Sequence, residues 1–240
     1  MRFLPFAIRN YKELLRDLLS LVFSMGLPII FLLMQKSMPI YGFKIENFTP
    51  GVVIFSFAFI SLFSGMLIAK DRGSSFLTRL FSSPLSAFDY IVGYSLPILL
   101  MALLQSIVCF ITAIFLGLPL HINILLTILL FIPVAMLFIG IGLLLGCIFN
   151  DKQVGGIASI LITFSTLASG MWFNLNLMGN TLKTIARVLP FAHAVDAARA
   201  ALTGNYTSIL PHLPWVLGHA ILIYIIAVLI FRKRMLNGNM

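Results

Sequence analysis

The chain alternates long apolar blocks with short polar punctuation. The blocks fall at residues 18–34, 50–69, 90–116, 124–149, 154–173 and 214–231. Pro28 interrupts the first, and the second holds no charged residue. At about 1.5 Å of rise per residue, roughly twenty apolar residues cross the hydrocarbon layer of a bilayer as an α-helix. Six such blocks predict an all-α, polytopic membrane protein with six transmembrane helices, because inside lipid each backbone polar group must find its partner within the segment.

Two other segments carry helical periodicity. In residues 1–17, Phe3, Leu4, Ala7, Ile8, Tyr11, Leu14 and Leu15 recur at helical spacing, and Arg2, Arg9, Lys12, Glu13, Arg16 and Asp17 fill the other side. This predicts an amphipathic interfacial helix lying among headgroups. Residues 174–211 are too apolar for a free loop. Leu182, Ile185, Ala186 and Leu189 repeat at helical spacing, as do Ala194, Ala197, Ala198, Ala201 and Leu202. Two short, re-entrant-like helices hinged at Pro190 fit that pattern. The chain therefore reads as one transmembrane domain over residues 1–240, with 1–17 interfacial, 70–89 on one side of the membrane and 174–211 on the other.

Composition agrees with a bilayer as solvent: 60% of residues are apolar and 10% charged, against about 45–50% and about 25% in soluble domains. The net charge of +9 sits mostly at block ends, where it sets topology and meets anionic lipid headgroups. No basic patch interleaved with aromatics points to nucleic acid. Eleven Lys and Arg fall on the side of the termini and five on the other, which predicts both termini in the cytoplasm. Cys109 and Cys147 lack metal or redox spacing and read as packing residues.

No Asp, Glu, Lys or Arg falls inside the six blocks. An ion-coupled carrier usually needs such groups in the membrane, so that class is disfavoured. Ser64-Gly65 and Ser169-Gly170, with His219, would be the parts of an intramembrane hydrolase. Neither serine follows a glycine two residues earlier, and the nucleophile turn is incomplete. No GxxxxGK[ST] occurs, so ATP used by this protein is hydrolysed by another chain. Small residues at four-residue spacing, Gly142 and Gly146, then Gly155, Ser159 and Thr163, fit close helix packing inside the chain or a subunit interface.

Two stretches carry a resemblance. One is Asp71-Arg72-Gly73-Ser74-Ser75-Phe76-Leu77-Thr78-Arg79-Leu80-Phe81-Ser82-Ser83-Pro84-Leu85-Ser86, continuing to Asp89-Tyr90 and Gly93. The other is Ser169-Gly170-Met171-Trp172-Phe173, followed by Leu189-Pro190-Phe191-Ala192-His193-Ala194-Val195-Asp196-Ala197-Ala198-Arg199 and Leu202-Thr203-Gly204. In order, spacing and span count the chain resembles the permease subunits of type-2 ABC (ATP-binding cassette) exporters. It departs at Gly73, where the family usually has a second acid, and after Phe173, where the family often has prolines.

The resemblance implies a pair of permeases, two copies of this chain or this chain and a relative, driven by two cytoplasmic P-loop ATPase subunits that bind ATP and Mg. It places the chain in a bacterial cytoplasmic membrane and gives it no catalytic residue, cofactor or metal of its own. The 70–89 segment becomes a coupling helix. Phe76, Leu77, Leu80 and Phe81 form an apolar stripe suited to a groove on the ATPase, Asp71, Arg72 and Arg79 can pair across its rim, and Pro84 ends the helix. The bland alternative is a solvated connecting loop.

The cargo path is read from the residues available. Phe55, Phe59 and Phe63, with Ser159, Thr163 and Thr166, suit an apolar or amphipathic cargo such as a drug, a lipid-like compound or a hydrophobic peptide. Glycan export within the same family is the alternative. His193, Asp196 and Arg199 stand three residues apart on a helix face and can support one another. They are too few for a metal site and read as a structural ion pair or as part of an outer gate.

Overall fold

The computed structural model describes residues 3–37, 44–74, 76, 85–172, 175 and 179–237. Among these residues there is no strand. The helices are α1 (Leu4–Arg16), α2 (Leu18–Ser37), α3 (Ile45–Gly73), α4 (Ala87–Phe115), α5 (Asn123–Ile148), α6 (Asp151–Ala168), α7 (Asn180–Val188), α8 (Pro190–Thr203) and α9 (Leu213–Asn237), with a short 3₁₀ turn at Tyr206–Ser208. Ile45–Gly73, Ala87–Phe115, Asn123–Ile148 and the segment Tyr206–Lys233 are long and apolar enough to cross a membrane, and Val22–Ser37 is a shorter apolar helix. The expected fifth block is divided: α6 covers its first part, and Ser169–Trp172 are turn and bend.

Local chemistry sets the helix starts. Ser86 accepts from the backbone N–H of Asp89, while Asp89 accepts from the Ser86 backbone, a reciprocal cap that opens α4. Asn150 and Gln153 do the same for α6. Each box satisfies N–H groups that a helix start otherwise leaves unpaired. The tight 150–153 polar turn thus ends one membrane helix and begins the next.

The centre of the bundle is the crossing of α3 and α5. It is closed by backbone and by the Ser64 hydroxyl, which a Cβ at Gly142 would strike first. A Cβ built at Gly142 would sit 2.1 Å from the Ser61 carbonyl oxygen, and one at Gly146 would sit 2.4 Å from the Gly65 carbonyl oxygen. Phe57 of α3 meets Phe131 of α5 edge-on at 5.5 Å between ring centroids. On another face of α5, Gly140 leaves room for Tyr224 of α9. Small residues at a helix crossing let the two backbones approach, which is the dominant attraction available where lipid is as apolar as leucine.

α8 fills the end of the bundle away from α1. Ala194, Val195, Ala197, Ala198 and Ala201 have no exposed surface, so this alanine-rich helix packs into the bundle and is not an external loop. Gly204 closes it in the left-handed region at φ +79°, where glycine has no Cβ penalty.

The two groups of small residues are thus separated. Gly142 and Gly146 are spent inside the chain, whereas nothing lies within 4 Å of a Cβ built at Gly155. Gly142→Ala should therefore lower stability by about 1–3 kcal/mol or more. Gly155→Ala should be neutral or stabilising by up to about 1 kcal/mol, the helix-propensity gain. Thermal unfolding of both variants in detergent checks the contrast, and equal melting temperatures would contradict it.

Candidate functional site

The charged end of α3 organises the end of the bundle on which α1 lies. Asp71 is only 2% exposed. Its carboxylate accepts from both terminal nitrogens of Arg9, at 2.5 and 2.8 Å, and from the Tyr94 hydroxyl at 2.9 Å. A forked guanidinium–carboxylate pair with a third donor satisfies a buried charge far better than a single contact. Burial by itself would lower the Arg9 pKa, but the hydrogen bond and charge of Asp71 outweigh it and hold the guanidinium above its ordinary value.

Arg9 is a hub. It also bonds Glu13 at 2.6 Å, donates to the Asn10 side chain at 2.9 Å, and stacks over the Phe76 ring at 4.3 Å. Lys70 reaches Glu13 from the other side at 3.4 Å. Asn10 is fully buried and donates to the Gly93 carbonyl at 3.1 Å. Phe6 packs edge-on against Tyr94 at 4.8 Å and Tyr90 at 5.7 Å. A Cβ at Gly93 would stand 2.5 Å from the Phe6 ring, so glycine is what allows α1 to seat on α4.

α1 therefore has three faces. Phe6, Ala7, Asn10 and Leu14 are buried in the bundle, Leu4, Ile8, Tyr11 and Leu15 are exposed apolar residues, and Lys12 and Arg16 are exposed cations. The expected amphipathic helix over residues 1–17 gave no place to the buried face that packs α1 into the bundle.

Arg72, the next residue after Asp71, also turns inward. It donates to the carbonyls of Gly146 at 3.1 Å and Phe149 at 3.0 Å, and to that of Cys147. These are the terminal carbonyls of α5, which lack helical partners and carry the negative end of its dipole. Asp71 and Arg72 were expected at the rim of a partner's groove. Both are instead committed within the chain, so that α1, α3, α4 and α5 meet at one point. Phe76 is half-buried and belongs to the same cluster. Leu77, Arg79, Leu80, Phe81 and Pro84 lie outside the described residues.

The residues proposed for a cargo path occupy two packed helices. Phe55 and Phe59 stack edge-on at 5.3 Å on α3, with Phe31 of α2 against Phe55 at 5.2 Å. Phe63, further along α3, is half-buried. On α6 the hydroxyls of Ser159, Thr163 and Thr166 each donate to the carbonyl one turn back. Ser159 and Thr163 lie on an exposed face with Ile160, which is 71% exposed.

Of His193, Asp196 and Arg199, expected from their spacing to support one another, Asp196 and Arg199 interact through charge, whereas His193 turns to other partners. His193 Nε2 donates to the Arg187 carbonyl and its Nδ1 faces His212 Nδ1, both at 2.8 Å. Arg199 donates to the carbonyls of Asn47 at 2.8 Å and Gly170 at 3.1 Å, which ties α8 to the start of α3 and the end of α6. Asp196 acts on Arg199 through charge, opposing the downward push of burial on its pKa. Nearby, Trp172 packs edge-on against Phe31 and Phe48. Helical spacing places residues on one face but does not choose between neighbours on that face and partners from other segments. Among the described residues, no group of His, Cys, Asp and Glu has metal-site geometry.

The partners Arg9, Asn10, Tyr94 and His212 were missed from sequence. One signal was available for Arg9: an aspartate at the end of an apolar block requires a cation, and residues 1–17 supply the nearest surplus. Nothing in the local pattern marks Tyr94 or His212.

Residues 27–229 match the family model described as ABC-2 family transporter protein. Among curated proteins nothing matches the chain.

Removing Arg9 would strand a buried carboxylate. Arg9→Ala should destabilise the protein by about 3 kcal/mol, and adding Asp71→Asn should recover much of that loss. Unfolding of the two single variants and the double variant forms a cycle, with an expected coupling of about 1 kcal/mol or more. Strictly additive effects would show that the pair holds nothing.

Proposed function

The chain belongs to the ABC-2 family of transporter proteins, and from that premise we propose that it is the membrane permease subunit of an ATP-driven exporter. The coarser part follows from membership: a membrane transport subunit built of several apolar helices. The proposal adds six spans, with α2 and α6 as the first and fifth, both termini in the cytoplasm of a bacterial cell, and a complex of two permeases with two separate P-loop ATPase subunits. It also adds direction, outward, and cargo, an apolar or amphipathic compound.

One structural observation carries the mechanistic part. The last turn of α3, Lys70–Arg72, is clamped to α1, α4 and α5 immediately before the segment that the sequence marks for coupling. A lever is useful only if its base is stiff. Ion pairs and helix-end carbonyls on three sides supply such a base, and a push on residues 76–84 would reach four helices at once. ATP and Mg remain with the partner, since the chain has no phosphate-binding loop. The closed aromatic packing of Trp172, Phe31 and Phe48, with Arg199 bridging α3 and the end of α6, supports an outer gate at the far end.

The reading is tested at the coupling stripe. Leu77→Asp or Leu80→Asp should place an unpaired charge in the ATPase groove, a cost of several kcal/mol and a loss of affinity of roughly a hundredfold or more. The variant should insert in the membrane, lose its ATPase on purification and lose transport in vesicles. A Leu80→Asp variant that retains its ATPase and exports at the wild-type rate would reduce the segment to a connecting loop.

A further inference from the structure

α4 runs unbroken through Pro97, which is buried. A proline has no N–H, so the carbonyl four residues back, that of Gly93, lacks its usual helical donor. A carbonyl freed in this way inside a membrane helix costs free energy unless a neighbour bonds it. Here the donor comes from another helix. Asn10 of α1, itself with no exposed surface, donates from Nδ2 to the Gly93 carbonyl at 3.1 Å. The amide is oriented for that bond, because its Oδ1 accepts from Arg9 at 2.9 Å. α1 thus supplies to α4 the hydrogen bond that Pro97 withholds.

The same turn of α4 is held on its other sides. Tyr94 donates to Asp71 of α3 at 2.9 Å, and Asp71 also holds Arg9. These bonds close a ring: Asp71 to Arg9, Arg9 to Asn10, Asn10 to the Gly93 carbonyl, and Tyr94, the next residue, back to Asp71. Ser95 donates to the Ile91 carbonyl at 2.8 Å, a back-bond of the kind that bends helices, and accepts from Tyr224 of α9 at 3.0 Å. Sharp bends in long helices fall at prolines. Residues 93–97 combine such a point with hydrogen bonds to α1, α3 and α9.

We propose that residues 93–97 are a hinge in α4 and that Asn10 is its latch. With α1 seated, the Gly93 carbonyl is bonded and the bend of α4 is fixed. With α1 displaced, that carbonyl has neither a residue-97 N–H nor the amide, and the half of α4 beyond Pro97 swings relative to the half that carries Tyr94. Asn10 is a positioning residue in this scheme, and Arg9, anchored on Asp71, holds its amide in the bonding orientation. Any load that shifts α1 would then redirect a membrane helix. The device belongs to the folded chain and requires neither ATPase nor cargo.

The test uses the full chain in lipid nanodiscs, without the ATPase. Spin labels replace Phe88 and Ile111, exposed residues of α4 on either side of Pro97, and Cys109 and Cys147 are changed to alanine. The labelled positions lie roughly 35 Å apart along a straight helix, within the range of pulsed electron spin resonance. The parent chain should give one narrow distance distribution. Asn10→Leu, close in volume but without a donor, should broaden it and extend it to shorter distances. Pro97→Ala returns a backbone N–H to the Gly93 carbonyl, so Asn10→Leu combined with Pro97→Ala should be narrow again. Melting temperature follows the same logic. Asn10→Leu should lower it by roughly 2–10 °C, the effect of one buried carbonyl left without a donor, and by clearly less in the Pro97→Ala background. An unchanged distribution in Asn10→Leu would overturn the proposal. So would broadening that survives Pro97→Ala, since the freed carbonyl would then not be its cause. If Asn10→Leu alone does not fold, folding restored by Pro97→Ala supports the latch and folding still lost contradicts it. None of these results bears on whether ATP drives export, so failure here and failure at Leu80 remain distinct.

Discussion

Asp71 is a carboxylate taken almost wholly out of solvent at the end of a membrane helix, and a charge buried in this way costs several kcal/mol unless it is paired. Arg9 and Tyr94 provide that pairing, and the arrangement of the neighbouring helices follows from it. Arg9 reaches Asp71 with α1 packed against α4. That position requires the gap at Gly93, which Phe6 fills, and it buries Asn10 against the Gly93 carbonyl. Arg72 then faces the open end of α5 and satisfies its carbonyls. One buried charge thus fixes α1, α3, α4 and α5 relative to one another at the end of α3.

The opposite end of the bundle is held differently. There the constraint is close packing: alanines of α8 against α5, and a tryptophan among phenylalanines. The polar bonds at that end include those from Arg199 to two carbonyls and from Trp215 to one, with His193 facing His212. Such contacts exchange at lower cost than a buried ion pair. Under the proposed exporter function, a stiff base at one end and an aromatic seam at the other would let a push delivered at the base open the far side.

Much of this was legible in the sequence because lipid imposes strong patterns. The apolar blocks located the long helices within a few residues, the small residues at 142 and 146 marked a close crossing, and the break at Pro190 separated two short helices. Partner choice was not legible. The 193–196–199 spacing suggested a row on one face, yet His193 and Arg199 found groups from other segments. Asp71 and Arg72 looked like rim charges because they adjoin a polar stretch, and sequence spacing says nothing about which side of a helix end is covered. Gln105 drew no attention because a lone glutamine in a long apolar block has no periodic signature. Its side-chain nitrogen lacks a hydrogen-bond partner among the described residues.

The central claim is that the Arg9–Asp71 pair makes α1 and the end of α3 one rigid body. Spin labels at Lys12 and Ser74, both exposed, report on it directly when distances are measured by pulsed electron spin resonance in the complete transporter, with and without trapped ATP. The account predicts an unchanged Lys12–Ser74 distance distribution, while the distance from either label to one at His121 shifts on ATP trapping. A Lys12–Ser74 distance that changes with nucleotide would contradict it, since α1 would then move independently of the helix it is supposed to carry.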